Sequence, residues 1–367
     1  MRKLPVYQLL LCALTLLAAC GTSAPQQPIK AQDPMYLLMI QNQNMVLSVI
    51  NRPAYTLAGV LSITTIGNTP PTGDIGIAAH GSVIVTHTGA FTNIDGGYKE
   101  TVQAETLVCT PEQGQCSSLI HGWGSATVDK IGQSFVVPIW QNTDPFHGQL
   151  AIFSDASIQT SRRISLPSIL PGLMQISPDG KSLYWLSPQG TNNPTYLLVR
   201  FDLASQKITD TYNLGASIPG GLAVADDGTV YTTILYANQG NRTQGVATTN
   251  KPGTQILVFD PNLHEKGQFT VGAEPTQIAI SADTIAVTYA PDQSQRIDIF
   301  SRTSLQLLRT LTSPYLSPID KLSALSTGEF AITVTVGSQT NLGIWEPTSN
   351  TIKWHTYSGI SIGGIAG

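Results

Sequence analysis

The stretch VGAEPTQIAISADTIAVTYA, from Val271 to Ala290, contains two short apolar runs separated by a polar turn. Ile, Val and Thr dominate the runs and alternate with small or polar residues, which is typical of half-buried β-strands. The polar residues SAD between the runs are typical of a tight turn. The stretch therefore predicts a β-hairpin.

Similar stretches recur along the chain at intervals of about 45 to 55 residues. The copies are IGIAAHGSVIVTH (75–87), LMQISPDGKSLYWLS (173–187), LAVADDGTVYTTI (222–234), KLSALSTGEFAITVT (321–335) and a weaker ATVDKIGQSFVVPIW (126–140). Repeats of this length fit the four-stranded blades of a β-propeller, and helical periodicity is missing after residue 34. The sequence therefore predicts an all-β chain that forms a single β-propeller of about seven four-stranded blades.

The same stretch carries a resemblance to a known family. Val271–Ser281, followed by IAVTYA (285–290) and RIDIFSRTSLQLLRTL (296–311), resembles a YVTN-type β-propeller repeat, and MVLSVINRPAYTLAGVLSI (45–63) is similar. The resemblance covers nearly all of the chain beyond residue 34 and implies a propeller of seven blades. It implies no single function, because such repeats occur in proteins with many roles.

The C-terminal residues GISIGGIAG (359–367) contain the G-x-S-x-G spacing of a hydrolase nucleophile elbow. An elbow serine requires a following helix and then an acidic residue and a histidine. Only four residues follow Gly363, and none is acidic or histidine. We therefore expect Ser361 to be structural.

The same C-terminal residues align with GASIPGGLAVA (215–225), which leads into the first strand of a predicted blade. The segments MYLLMIQN (35–42) and MVLSVIN (45–51) look like the second and third strands of a blade without its first strand. We expect the C-terminal strand to pair with these segments and close the ring, which leaves no exposed sheet edge at the chain ends.

The N-terminus begins with Arg2 and Lys3, followed by a mostly apolar run over residues 4–18. LAAC (17–20) resembles a bacterial lipobox, which implies a signal peptide over 1–19 and acylation of Cys20; a plain secretory signal is the alternative. Residues 20–34 are then a lipidated cysteine and a flexible, Pro-rich tether, and 35–367 are the propeller. This organisation predicts a protein lipid-anchored to the outer face of a bacterial membrane, on the periplasmic or surface side.

The charge of the chain restricts the partners that it can bind. The net charge is −4 with only 11% charged residues and no basic run, so nucleic acid is not expected as a partner.

Cys109 and Cys116 flank a turn-like segment, and in an oxidising compartment such a pair is expected to form a hairpin disulfide; a redox or metal role is the alternative. We expect a monomer.

The sequence contains no HExxH zinc helix, phosphate-binding loop, EF-hand loop or C-x-x-C-H haem motif. Aromatic, histidine and acidic residues of two adjacent predicted blades could instead converge on one rim: His87, His121, Trp123, Trp140, Asp144 and His147. Aromatic faces beside amide-rich loops suit a carbohydrate, peptide or protein ligand. The alternative is that the tryptophans fill gaps between blades and the histidines are solvated on loops.

The enzymatic alternative is a calcium-dependent lactonase or lyase, which would need carboxylates that point into the central channel. Asp74, Asp129, Glu274 and Asp320 precede or begin predicted first strands and are the candidates, although turn-forming carboxylates are also common at such positions. We expect no bound cofactor, with Ca²⁺ as the alternative. The sequence thus favours a binding or scaffold protein that acts through its rim loops.

Overall fold

The computed structural model describes residues 26–65, 73–77, 81–87, 90–94, 97–102, 105–121, 134–141, 147–154, 161–166, 173–189, 195–237, 251–290 and 293–367. No helix among these residues is long and apolar enough to cross a membrane. Apart from a short 3₁₀ turn at Pro111–Gln113, the regular structure described is β-strand. The strands are β1 Pro34–Gln41, β2 Asn44–Asn51, β3 Thr56–Thr65, β4 Gly73–Ile77, β5 Val83–His87, β6 Ala90–Ile94, β7 Gly97–Val102, β8 Glu105–Thr110, β9 Gln115–His121, β10 Ser134–Gln141, β11 His147–Ser154, β12 Ser161–Leu166, β13 Met174–Ile176, β14 Ser182–Gln189, β15 Thr195–Asp202, β16 Lys207–Gly215, β17 Ile218–Val224, β18 Val230–Ala237, β19 Lys251–Phe259, β20 Glu265–Thr270, β21 Pro275–Ile280, β22 Thr284–Tyr289, β23 Arg296–Ser301, β24 Leu307–Thr312, β25 Ile319–Ala324, β26 Phe330–Val336, β27 Gln339–Trp345, β28 Ile352–Ser358 and β29 Ile360–Ala366.

The strands form antiparallel blades of four. Six such blades are β29-β1-β2-β3, β4-β5-β8-β9, β13-β14-β15-β16, β17-β18-β19-β20, β21-β22-β23-β24 and β25-β26-β27-β28. Among the described residues, β10-β11-β12 form a sheet of three strands, and β6 pairs with β7 as a separate hairpin. The predicted all-β propeller is confirmed, with six four-stranded blades among the described residues rather than about seven. Each blade takes the name of its first strand, and the β29 blade is called the closing blade.

Adjacent blades pack face to face around a ring. The first strands β13, β17, β21, β25, β29 and β4 contact one another in that order. Between the β21 and β25 blades, for example, Ala279 and Ile299 of one pack with Leu322 and Trp345 of the other. This mutual burial of apolar faces, worth about 25 cal/mol per Å² removed from water, is the main force that holds the ring together.

The two chain ends share the closing blade. β29 pairs antiparallel with β1, with Ile365 opposite Leu37 and Ile360 opposite Ile40. Ile362 lies in the core shared with the β4 blade, whereas Ile365 lies in the core shared with the β25 blade. The predicted pairing of the C-terminal strand with the N-terminal strands is therefore confirmed, and β29 joins both neighbouring blades.

A glycine pair occurs at equivalent positions of β17 and β29, where the two segments align in sequence. A Cβ on Gly220 would lie 2.4 Å from the carbonyl oxygen of Pro275 in β21, and one on Gly364 would lie 3.1 Å from the backbone nitrogen of Ile75 in β4. The glycines thus allow first strands of neighbouring blades to approach closely. Ser361 lies in β29, with its Oγ 3.3 Å from Oγ1 of Thr333, which agrees with the structural role expected from the sequence.

The predicted disulfide is present: Cys109 and Cys116 are bonded and lie opposite each other in β8 and β9. Residues 26–33, which the sequence assigned to a flexible tether, instead lie against this hairpin and β3. The backbone nitrogen of Gln26 donates to the carbonyl of Gly114 (3.0 Å), and Ile29 is only 9% exposed. The polar, Pro-rich composition did not indicate this docking, because Ile29 is the only buried residue of the segment 26–33. Residues 20–25 lie outside the described residues.

Candidate functional site

The channel mouth is the end of the ring at which the first strands begin and the second strands end. Charged residues of two blades meet there: Nζ of Lys321 in β25 lies 3.5 Å from Oδ1 of Asp74 in β4. The closing strand β29 lies between β25 and β4 and contacts both. The ion pair therefore spans the first strand of a third blade, and its two side chains are partly exposed, 31% for Lys321 and 21% for Asp74.

Burial raises the pKa of Asp74 above its usual range. The ammonium group of Lys321 and the backbone N–H of Ile75 act in the opposite direction but do not outweigh burial. A carboxyl group whose charge is disfavoured, beside a fixed cation at a channel mouth, is the kind of position at which proteins bind ligands or perform chemistry. We therefore treat the channel mouth as the candidate functional site.

Neighbouring polar side chains at the mouth are held by hydrogen bonds. Oγ1 of Thr335 donates to Oδ2 of Asp320 (2.7 Å). The side-chain amide of Gln277 donates to the Asp320 carbonyl (3.3 Å) and accepts from the backbone nitrogen of Leu322 (2.9 Å), so it ties β21 to β25. These bonds fix the start of β25, which carries Lys321.

Three exposed apolar side chains lie around this end of the β25 and closing blades. Leu316 precedes β25, Val336 ends β26 and Ile360 begins β29, and they are 90%, 42% and 40% exposed. The backbone nitrogen of Gly359 donates to the carbonyl of Ser338 (2.9 Å), which joins the β26–β27 turn to the start of β29. Exposed apolar groups beside satisfied polar groups are typical of surfaces that contact a partner.

The loop that presents Leu316 is held by contacts with its own blade and with the neighbouring β21 blade. Tyr315 packs edge-to-face against Trp354 of β28, with ring centroids 5.0 Å apart. The Oγ atom of Ser313 accepts from the backbone nitrogen of Tyr315 (3.2 Å), and the backbone nitrogen of Ser313 donates to the Gln295 carbonyl (2.8 Å). Leu316 is therefore displayed on an anchored loop, which lowers the entropy cost of using it as a contact.

The described carboxylates do not assemble as a cation site. No group of three or more His, Cys, Asp or Glu side chains is placed to hold a metal among the described parts of the chain. The ammonium group beside Asp74 would also repel a divalent cation. Glu274 belongs to no such group among the described residues, and Asp320 accepts a hydrogen bond from Thr335. Asp129 lies outside the described residues.

The predicted rim is described only in part. His87 in β5 is 1% exposed, and its Nε2 lies 3.9 Å from Oε2 of Glu105. The sequence predicted a rim position for this side chain, whereas the structure buries it. His121 ends β9 and lies opposite Glu105, which puts its backbone in the same cross-strand row as His87. Trp140 lies opposite Gly148 and His147 opposite Gln141 in the β10–β11 hairpin. The side chains of His121, Trp140 and His147, and the whole of Trp123 and Asp144, lie outside the described part of the structure.

A groove of about 520 Å³ opens at the opposite end of the ring, between the β17 and β21 blades. Arg302 lines it and bridges the blades, with nitrogen–oxygen distances of 3.2 Å to Asp226, 2.9 Å to Asp227 and 2.8 Å to the Ala282 carbonyl. Burial alone would raise the pKa of Asp227, but hydrogen bonds from Thr229 and Arg302 lower it overall. Because two carboxylates neutralise Arg302, we assign this cluster to fastening the two blades.

The sequence indicated two carboxylates of the channel mouth but missed the lysine that pairs with Asp74. Asp74 and Asp320 were candidates because they stand at predicted strand starts, whereas neither Lys321 nor Leu316 was. A lysine at the first position of a repeat was the available signal for Lys321. Its contact with Asp74 depends on the closure of the ring, which brings distant parts of the chain together.

The fold defines the chain as a β-propeller protein. No family model matches the sequence, and no curated protein matches it. Solved structures with the same fold include a putative 6-phosphogluconolactonase from Bacteroides fragilis, with 11% identity and a TM-score of 0.59 over 93% of this chain and 98% of that one.

Two further structures extend this likeness. The Cps50 (Swd1) β-propeller domain of Myceliophteria thermophila has 13% identity and a TM-score of 0.58, covering 89% of this chain and 99% of that one. A dihydro-heme d1 dehydrogenase has 13% identity and a TM-score of 0.57, covering 93% and 77%. At these identities the likenesses show the fold alone, because one propeller fold serves unrelated functions.

Proposed function

We propose that this β-propeller is a lipid-anchored binding or scaffold protein of the bacterial cell envelope, with the channel mouth as its recognition surface. The observation that carries the proposal is Leu316, a 90% exposed apolar side chain on a loop that Tyr315 anchors against Trp354. Water around such a side chain is released when a partner covers it, and the anchored loop has little conformational freedom to lose.

The chemistry of the mouth favours a protein or peptide ligand. Leu316, Val336 and Ile360 offer apolar contacts, while Asp74 and Lys321 offer an acceptor and a donor that are still partly exposed. A peptide presents both apolar side chains and backbone hydrogen-bonding groups, so it satisfies both halves of this surface.

The anchoring part of the proposal rests on the lipobox-like LAAC ending at Cys20. Several acyl chains on this cysteine would hold the protein at the membrane, since each buried methylene contributes about 0.8 kcal/mol. The Cys109–Cys116 disulfide supports an oxidising compartment.

The binding role is tested with a displayed peptide library panned against the purified full chain. We expect wild type and a Leu308→Asp control, altered at a 54% exposed leucine in β24, to enrich the same sequence motif. Leu316→Asp should lose that enrichment, because the charge must be desolvated on binding. Equal enrichment by both variants would discard Leu316 as part of the recognition surface.

A metal-dependent lactonase is the second candidate, favoured by the fold similarity to the putative 6-phosphogluconolactonase. It predicts hydrolysis of a sugar-phosphate lactone and a rise in melting temperature on adding Ca²⁺, by ordinary binding linkage. The Lys321–Asp74 pair argues against a cation at that position. Lactone hydrolysis that depends on Ca²⁺ and is lost in Asp74→Asn would establish the enzyme in place of the binding protein.

A further inference from the structure

The strap is the extended segment formed by residues 26–33. Its N-terminal end is held by three hydrogen bonds: Gln26 N donates to the Gly114 carbonyl (3.0 Å), its side-chain nitrogen donates to the Ser62 carbonyl (2.8 Å), and its side-chain oxygen accepts from Ser62 N (2.9 Å). Ser62 lies in β3, the outermost strand of the closing blade, and Gly114 ends the β8–β9 turn of the β4 blade. Gln26 therefore fastens the strap to both blades.

The middle of the strap is packed. The Ile29 side chain lies in the core between the closing and β4 blades and is 9% exposed. Its backbone nitrogen donates to the Pro111 carbonyl (2.8 Å), and the absence of a side chain at Gly59 makes room for it, since a Cβ there would lie 3.0 Å from Ile29. The contact removes an apolar side chain from water and satisfies its backbone donor, so docking is favourable on both counts.

The C-terminal end of the strap is held by ionic and polar contacts at the start of β1. A guanidinium nitrogen of Arg52, which is buried, donates to Oδ1 of Asp33 (2.7 Å). The backbone nitrogen of Gln32 donates to the side-chain oxygen of Asn51 (2.9 Å). The strap is thus fixed at both ends and in the middle.

The length of chain between the strap and Cys20 is short. Five residues separate Cys20 from Gln26, and six Cα–Cα steps of at most about 3.5 Å reach about 20 Å. Without docking, fourteen steps would separate Cys20 from β1 and reach about 50 Å. Docking therefore shortens the usable tether by more than half and determines where on the propeller the tether leaves.

We propose that the strap orients the propeller on the membrane, holding the perimeter formed by β3 and the β8–β9 turn against a lipid bilayer. This inference rests on the proposed acylation of Cys20, which supplies the anchor. The disulfide between Cys109 and Cys116 closes the turn that carries Pro111 and Gly114, so it keeps the strap's docking site in shape. The partner of this perimeter is the lipid headgroup surface.

The docking step is tested with a matched pair of glycine variants in the full chain. Gly114 and Gly215 have similar positive φ angles of 67° and 64°. A Cβ on Gly114 would lie 2.1 Å from the carbonyl oxygen of Gln26, whereas one on Gly215 meets nothing within 4 Å. Gly114→Ala should raise amide hydrogen exchange over residues 26–33 about tenfold, with Gly215→Ala unchanged. Unchanged exchange in Gly114→Ala, or rapid exchange of these residues in wild type, would overturn the strap.

The orientation is tested with a photo-crosslinking amino acid placed at Glu112 in the β8–β9 turn, or at Gln268 in β20, on the far side of the ring. Both positions are exposed. On membranes that carry the acylated protein, lipid adducts should form several-fold more often at Glu112, and Gly114→Ala should abolish the difference. Equal labelling at the two positions would overturn the orientation while leaving the anchor intact.

Mass spectrometry of Cys20 reports acylation separately. An unmodified cysteine would overturn both the anchoring and the orientation. The hydrogen-exchange data would still show whether the strap is docked.

Discussion

Replacing Ile365 with alanine tests whether the C-terminal strand holds the ring closed. Ile365 is 3% exposed and packs among residues of the closing and β25 blades, including Leu37 and Leu342. Truncating a buried isoleucine removes its transfer free energy and leaves a cavity, which together cost about 2–5 kcal/mol. Ile360→Ala is the matched control, because Ile360 lies in the same strand, also pairs with β1 and is 40% exposed. Its expected cost is below about 1 kcal/mol.

The measurement is urea unfolding followed by tryptophan fluorescence, together with amide hydrogen exchange of β1. We expect Ile365→Ala to lower the unfolding midpoint and to speed exchange in β1, because β1 loses the support of its partner strand. Ile360→Ala should leave both close to wild type. If the two substitutions have equal effects, or if β1 exchange does not respond to Ile365→Ala, then β29 does not close the ring in the manner described.

Three further perturbations test other parts of the structure. Gly220→Val should destabilise the protein by about 2 kcal/mol or more in urea unfolding, because its side chain would collide with the backbone of the next first strand; a neutral result would show that neighbouring first strands are not in close contact. The raised pKa of Asp74 means that the folded protein holds this proton more tightly than the unfolded chain. Wild type should therefore lose stability relative to Asp74→Asn as pH rises from about 4 through the raised pKa, and a difference in unfolding free energy that does not change with pH would contradict the pKa direction. Replacing Cys109 and Cys116 with serine should lower stability by about 2 kcal/mol, since the unfolded chain gains the freedom of the opened loop; an unchanged melting temperature would contradict it.

The fold was predictable because its signals are local. A hairpin such as Val271–Ala290 requires only alternation and a turn, and both are properties of neighbouring residues. The closure was predictable for a related reason: two incomplete blades at the chain ends complement each other, and an unpaired edge is unfavourable. The count of four-stranded blades differs because residues 126–133 of the weak copy at 126–140 lie outside the described residues, and the part that is described, β10, belongs to a sheet of three described strands.

The candidate site was predictable only in outline. Asp74 and Asp320 stood out as carboxylates at strand starts, but their partners were not evident from local sequence. His87 looked like a rim residue because it ends a strand before a long polar loop, yet it is buried at 1% exposure. Leu316 looked like an ordinary loop residue, and its 90% exposure depends on how Tyr315 packs against the neighbouring strand.

The sequence by itself determined the strands, the turns between them, the repeat, the disulfide pair and the need for the two ends to meet. Only the tertiary structure decided that Lys321 pairs with Asp74 and that His87 is buried. It also decided that residues around Ile29 pack against β3 and the β8–β9 turn instead of forming a flexible tether. The physical reason is the range of the forces involved. Backbone preference and the alternation of apolar residues act between neighbours in the chain, whereas burial and ion pairing depend on which surfaces the closed ring brings opposite each other.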